Sequence, residues 1–251
     1  MILLSKVVTK RNYDTHIYEV DFKGKATITS IMSYLEDIAT YQTDNLGMSV
    51  QYLIDNKLAW VVYKWEIHMD KYPELGDTIE VATIPYSIRK FYAYRKYELF
   101  NKGEKIGYAN SLWFLIDTER RRPCRVTEEI YKIYNLTEED DEQIPFEKLS
   151  KPKEVSFENR FKVRYSDIDT NRHVNNVKYV SWVLENIPLE VMKDYEISDL
   201  KVMYQKETAY GETIDIVTEM KKSEGKCSFN HLITNSQGEN LTLIKTDFIK
   251  S

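Results

Sequence analysis

"GDTIEV" at residues 76–81 returns as "GETIDI" at 211–216, matched in residue character at every position and displaced by 135 residues. The same displacement separates Gly103 and Glu104, in the turn "NKGE", from Gly238 and Glu239, in the turn "NSQGE". Two separate anchors in one register mark a duplicated unit.

Outward from these anchors, periodicity predicts the same series of elements twice. In the first copy an alternating strand, Thr15 to Phe22, precedes a helix with Ile31, Tyr34, Leu35 and Ile38 at helical spacing. Strands follow near Ala59 to His68, Thr78 to Pro85, Phe91 to Phe100 and Lys105 to Asp117. In the second copy "RFKVRY" (160–165) reads as the strand, and Val174, Val177, Val180, Val183 and Leu184 form the helix stripe. Strands return near Asp199 to Lys206, Thr213 to Met220, Lys226 to Thr234 and Leu241 to Ile249. Between the copies, "LTEEDDEQIPFEKLSKPKE" holds five consecutive acidic residues and two prolines, a composition that buries little. The expected organisation is a first repeat over 1–136, a linker over 137–153 and a second repeat over 154–251. One antiparallel sheet crossed by a long helix leaves an open edge, so the two sheets are expected to join edge to edge, with a ligand cleft at the seam.

Composition limits the function classes. A chain of 251 residues, 42% of them apolar, can bury a substantial core. Cys124 and Cys227 stand alone, the four histidines are scattered, and the eight glycines form no phosphate-cradling loop. Neither a metal nor another cofactor is expected. No charged-then-apolar leader opens the sequence and no apolar run approaches the roughly 20 residues of a membrane span, so a cytoplasmic protein is expected. The formal net charge of −5 hides an asymmetry, because Tyr86 to Arg125 carries ten basic residues against four acidic ones. Such a cluster is either solvated surface or a docking patch for an acidic partner, and nucleic acid fits an acidic protein poorly. The sequence leaves monomer and homodimer both open.

The densest polar stretch is "SDIDTNRHVNNVKY" (166–179). A helix is expected to begin near Val174 or Asn175, where first-turn amides carry partial positive charge and could stabilise an oxyanion. Asp169, Asn171 and His173 alternate ahead of it, so an extended backbone would send all three to one side. The same residues also read as a plain helix cap.

The run "YSDIDTNRHVNNVKYVSWVLENIP" resembles the second-half signature of the acyl-acyl carrier protein thioesterases, Asp-x-Asn-x-His-Val-Asn-Asn followed by a helix. "YQKET" (204–208) resembles that family's Tyr-basic-basic-Glu-Cys run, and "LIDTERRRPCRVTEEI" resembles the stretch that closes its first repeat. The resemblance implies an α+β tandem (double) hotdog and a catalytic set of Asp169, Asn171, His173 and Glu207. The family's cysteine position is Thr208 here, which disfavours a thiol nucleophile. The implied reaction is hydrolysis of fatty acyl-acyl carrier protein. In it Glu207 would activate water if partial burial raises its basicity, Asn171 and His173 would position it, and Val174 and Asn175 would supply oxyanion amides. Asp169 would fix His173 or itself attack. The first repeat would form the acyl pocket, with Ile31, Leu35, Ile38 and Met48 as wall candidates. Arg89, Lys90, Arg120, Arg121, Arg122 and Arg125 would seat an acidic carrier protein and its phosphopantetheine-linked chain. The competing expectations are an acyl-coenzyme A thioesterase of the same fold and a non-catalytic acyl-binding module.

Overall fold

The 135-residue displacement is a repeat of hydrogen bonds as well as of letters. In the first copy the amides of Asp70 and Lys71 both donate to Ile106 O; in the second, those of Gln205 and Lys206 both donate to Leu241 O. The computed structural model describes residues 6–170 and 172–250, in two units, Met1–Trp65 with Asp70–Phe146 and Glu66–Met69 with Glu147–Ser251.

The first unit holds β1 (Thr9–Asp14), α1 (Ile28–Asn45), α2 (Val50–Asp55), β2 (Leu58–Met69) up to Trp65, β3 (Thr78–Arg89), β4 (Tyr92–Asn101), β5 (Glu104–Asp117), β6 (Arg122–Pro123) and α3 (Glu128–Ile133). Its sheet runs in the order β1-β3-β4-β5-β2, with β6 paired to β5. The second unit holds β7 (Phe157–Lys162), α4 (Asn176–Leu184), α5 (Leu189–Asp194), β8 (Tyr195–Tyr204), β9 (Thr213–Ser223), β10 (Lys226–Asn235) and β11 (Asn240–Lys250), ordered β8-β11-β10-β9-β7. Each is the helix-on-antiparallel-sheet unit expected. Among the described residues no helix is long and apolar enough to cross a membrane.

The opening strand of each copy lies earlier than its alternation suggested. Thr9–Asp14, not Thr15–Phe22, pairs with β3, from Thr9 opposite Thr83 to Asp14 opposite Thr78. Residues 17–19 form a 3-10 turn in which the amide of His16 donates to Glu19 Oε2 at 2.7 Å. The apolar residues that made "HIYEVDF" look like a strand face solvent, with Ile17, Tyr18 and Phe22 exposed. "RFKVRY" is displaced in the same way: the strand is Phe157–Lys162, and Tyr165–Asp167 is the 3-10 turn.

A second displacement, of 148 residues, governs this part of the repeat. The bridge between Val20 and Ala26 has its counterpart in Ile168 and Val174, and the helix caps Thr27 and Asn175 correspond. Thirteen residues are lost between the helix and the later strands, chiefly because α1 has 18 residues and α4 has nine.

Burial follows the stripes read from sequence. Ile31, Leu35 and Ile38 on α1 are fully buried, as are Val180 and Val183 on α4. Met48 packs apart from the α1 stripe, with Ile88, Leu115, Val126 and Tyr131. The second unit's core also contains a histidine. His231 is fully buried, with Nδ1 2.9 Å from Thr218 Oγ1 and Nε2 3.2 Å from Thr246 Oγ1, and burial drives its pKa down to about 3.

The basic cluster divides. Arg95 is buried, donating to Gln42 Oε1 and, at 2.9 Å, to Thr83 Oγ1, so it belongs to the core. Lys102 and Lys105 are paired with Asp77 and Glu98. Arg89, Lys90, Arg120, Arg121, Arg122 and Arg125 are exposed, and their two loops meet where the amide of Val126 donates to Lys90 O at 3.0 Å. The acidic linker is anchored as well as exposed: Arg125 pairs with Glu138 at 2.7 Å, and the amide of Ile88 donates to Asp140 O at 2.9 Å.

Candidate active site

The segment before α4 is a tight turn closed on itself. The amide of Arg172 donates to Asp169 O at 3.1 Å, that of Asp169 to His173 O at 2.8 Å, and that of His173 to Asp169 Oδ1 at 3.3 Å. Asp169 thus reaches His173 at its main chain. The turn requires a left-handed residue, taken by Arg172 at φ 65° where the first copy has Gly24 at φ 75°. Asn171 lies outside the described residues.

This turn aims His173 at the chain entering β9. Its Nδ1 stands 3.3 Å from Glu207 Oε2, an ion-pair distance, with the two side chains 44% and 51% exposed. Glu207 lies in the loop after β8, not on the strand, with its side chain half-exposed. Its neighbour is anchored three times. The amide of Thr208 donates to Tyr179 Oη at 3.2 Å, its carbonyl accepts from the amide of Val174 at 3.2 Å, and its hydroxyl donates to Glu212 Oε2 at 2.5 Å. Thr208, which stands where a nucleophilic cysteine was considered, is buried and tied into the loop.

The helix entry corrects one expectation. α4 begins at Asn176, capped by Asn175 Oδ1, which accepts from the amide of Val177 at 2.9 Å. The two amides expected to face an oxyanion are spent: that of Val174 goes to Thr208 O and that of Asn175 to Asp167 O at 2.9 Å. Among the described residues the amide of Asn176 has no partner. Behind the turn, fully buried Asp167 accepts two bonds from the Arg164 guanidinium, at 3.0 and 3.1 Å. Sequence reading missed Tyr179, Asp167 and Asn176. Tyr179 lies off the Val174–Val177–Val180 stripe, and Asp167 precedes the motif.

In the first copy the corresponding turn reads Asp21, Phe22, Lys23, Gly24, Lys25. Lys25 stands where His173 does, and Tyr72 is 135 residues before Glu207. The arrangement of carboxylate, imidazole and a helix amide without a partner among the described residues therefore occurs in the second unit.

Two family models match the chain: the N-terminal domain of acyl-ACP thioesterases over residues 6–134 and the C-terminal domain over 150–250. The chain belongs to the acyl-ACP thioesterase family. A chloroplastic palmitoyl-acyl carrier protein thioesterase of Cuphea hookeriana is 28% identical over 98% of this chain and 63% of its own length. A chloroplastic oleoyl-acyl carrier protein thioesterase 2 of Arabidopsis thaliana is 30% identical over 83% of this chain and 62% of its own. The chain thus spans about 63% of the length of such curated relatives. Among solved structures, the 12:0-ACP thioesterase of Umbellularia californica superposes with a TM-score of 0.86 at 22% identity, covering 99% of each chain. An acyl-ACP thioesterase of Bacteroides thetaiotaomicron gives 0.82 at 24% identity, covering 96% of this chain and 97% of its own. These likenesses establish the fold as a double hotdog.

Proposed function

We propose that this protein hydrolyses the thioester of fatty acyl-acyl carrier protein, releasing free fatty acid and ending chain elongation in the cytoplasm. The observation that carries the reading is the approach of His173 to Glu207 at 3.3 Å, beside a helix start with an unspent amide, in a chain of this family.

Glu207 takes a proton from water as the water oxygen attacks the thioester carbon. The carbonyl oxygen gains the displaced electron pair and is held by the amide of Asn176, at the positive end of α4. His173, its backbone fixed by Asp169, and Asn171 orient the water and the carbonyl. Collapse of the intermediate expels the thiolate, whose conjugate acid has a pKa of about 8.5, so its departure needs little assistance. Glu207 then returns its proton to the thiolate. A nucleophilic cysteine has no place in this scheme. The first unit, with Ile31, Leu35 and Ile38 lining one side of α1, holds the acyl chain, and the exposed arginines of residues 120–125 seat the acidic carrier.

The test is an assay of fatty acid release by purified protein from the same acyl chain carried by acyl carrier protein and by coenzyme A. Release from the carrier protein at the higher kcat/KM supports the reading. Binding of both without release contradicts it.

A further inference from the structure

Tyr179 is buried to 2% exposure on α4, yet its hydroxyl accepts the amide of Thr208, the residue after Glu207, at 3.2 Å. We propose that Tyr179 is a positioning residue for the reaction, holding Glu207 against His173 through the backbone of Thr208; this rests on the function proposed above. The ring is packed edge-on against Trp182 and Tyr204, at centroid distances of 5.3 and 5.7 Å, so two aromatic neighbours fix the direction of the hydroxyl. Thr208 in turn binds the site from both sides, since its carbonyl accepts the amide of Val174, the residue after His173. Tyr179 Oη, Thr208 and Val174 therefore form a continuous clasp from the helix, through the residue next to the carboxylate, to the residue next to the imidazole.

The chemistry favours a permanent clasp. Burial, opposed by the Thr208 bond and reinforced by the carboxylates of Glu207, Glu212 and Asp169, keeps the phenol protonated far above neutral pH. The hydroxyl oxygen accepts the buried Thr208 amide throughout the working range, whereas a phenylalanine would leave that amide without an acceptor, a cost that moves the loop. Glu207 itself is 51% exposed, so the bonds at its neighbour add restraint to a half-exposed side chain. A displacement near 1 Å at a reacting group is enough to lower turnover by about ten- to hundred-fold.

Tyr179→Phe keeps the ring and removes the oxygen, and Val183→Ala, one turn further along α4, serves as a control for lost packing. Steady-state kinetics on acyl-acyl carrier protein and the imidazole NMR resonances of His173 are measured for both. In Tyr179→Phe kcat falls by about ten-fold or more with KM within about two-fold, and the His173 resonances shift. In Val183→Ala the melting temperature falls while kcat and those resonances stay at wild-type values. If Tyr179→Phe leaves kcat and the His173 resonances unchanged, or if Val183→Ala lowers kcat as much, the proposal is overturned. A wild-type protein that releases no fatty acid removes the proposed function, and the His173 resonances then still decide whether the clasp exists.

Discussion

Nδ1 of His173 stands 3.3 Å from Oε2 of Glu207, although the two residues are 34 positions apart and lie on different segments. Neither side chain is deeply buried, so replacing them changes chemistry more than folding. Glu207→Gln keeps the shape and removes the proposed base. It should lower kcat by about 10²–10⁴-fold with a melting temperature close to wild type, as read by fatty acid release and thermal unfolding.

Asp169 separates two roles that the motif alone leaves mixed. Its carboxylate accepts the amide of His173 at 3.3 Å, a bond that an asparagine can still accept and an alanine cannot. Asp169→Ala should lower kcat by about ten-fold or more and cost about 1 kcal/mol of stability. Asp169→Asn should lose distinctly less. Equal losses would show that the negative charge, not the turn, matters to turnover.

Thr208→Ala removes the hydroxyl bond to Glu212 but leaves both main-chain bonds of residue 208 in place. Stability should fall by about 1 kcal/mol, measured by denaturant unfolding, with kcat within a few-fold of wild type. Turnover abolished by this change would mean that the hydroxyl itself reacts.

His231 sets an acid limit on stability. Burial holds its folded-state pKa at about 3, below the ordinary value of 6.5, so between these limits the unfolded chain binds a proton that the folded chain refuses. The contribution is fully present above pH 6.5 and is lost as pH falls towards 3, at a slope of about 1.4 kcal/mol per pH unit for this one group. His231→Gln should flatten that part of the stability profile, and an unchanged acid slope would show that other groups control it.

Charge reversal at Arg120, Arg121 and Arg122 should raise KM for the carrier-protein substrate and weaken its dependence on salt, with kcat nearly unchanged, because rim charges act mainly on encounter. Unaltered KM and salt dependence would remove these arginines from carrier docking.

What sequence made legible follows the physics of each element. Long strands, and the α1 and α4 stripes, carry periodic burial, so β3, β5, β9 and β11 appear close to their expected places. The turns "GDTIEV" and "GETIDI" share a backbone need: Gly76 and Gly211 adopt φ of 85° and 83°. Local alternation misled at Thr15–Phe22, because a 3-10 turn with exposed apolar residues imitates a strand when no pairing partner is known. The short helices α2, α3 and α5 are too brief to show a period. At the candidate site, the motif and the family's pattern pointed to Asp169, His173 and Glu207, and the structure brings these three near one another. The spent amides of Val174 and Asn175 depend on distant carbonyls, those of Thr208 and Asp167, which no local pattern reveals. Arg95 joined the surface cluster on paper and lies in the core because Gln42 and Thr83 meet it there.

The most direct measurement is single-turnover release of fatty acid from acyl-acyl carrier protein by the wild-type protein and by Glu207→Gln at matched, saturating enzyme. The account predicts rapid release by the wild type and release slower by about 10²-fold or more in the variant, with substrate binding intact in both. Equal rates in the two proteins, or binding without release in either, would contradict it.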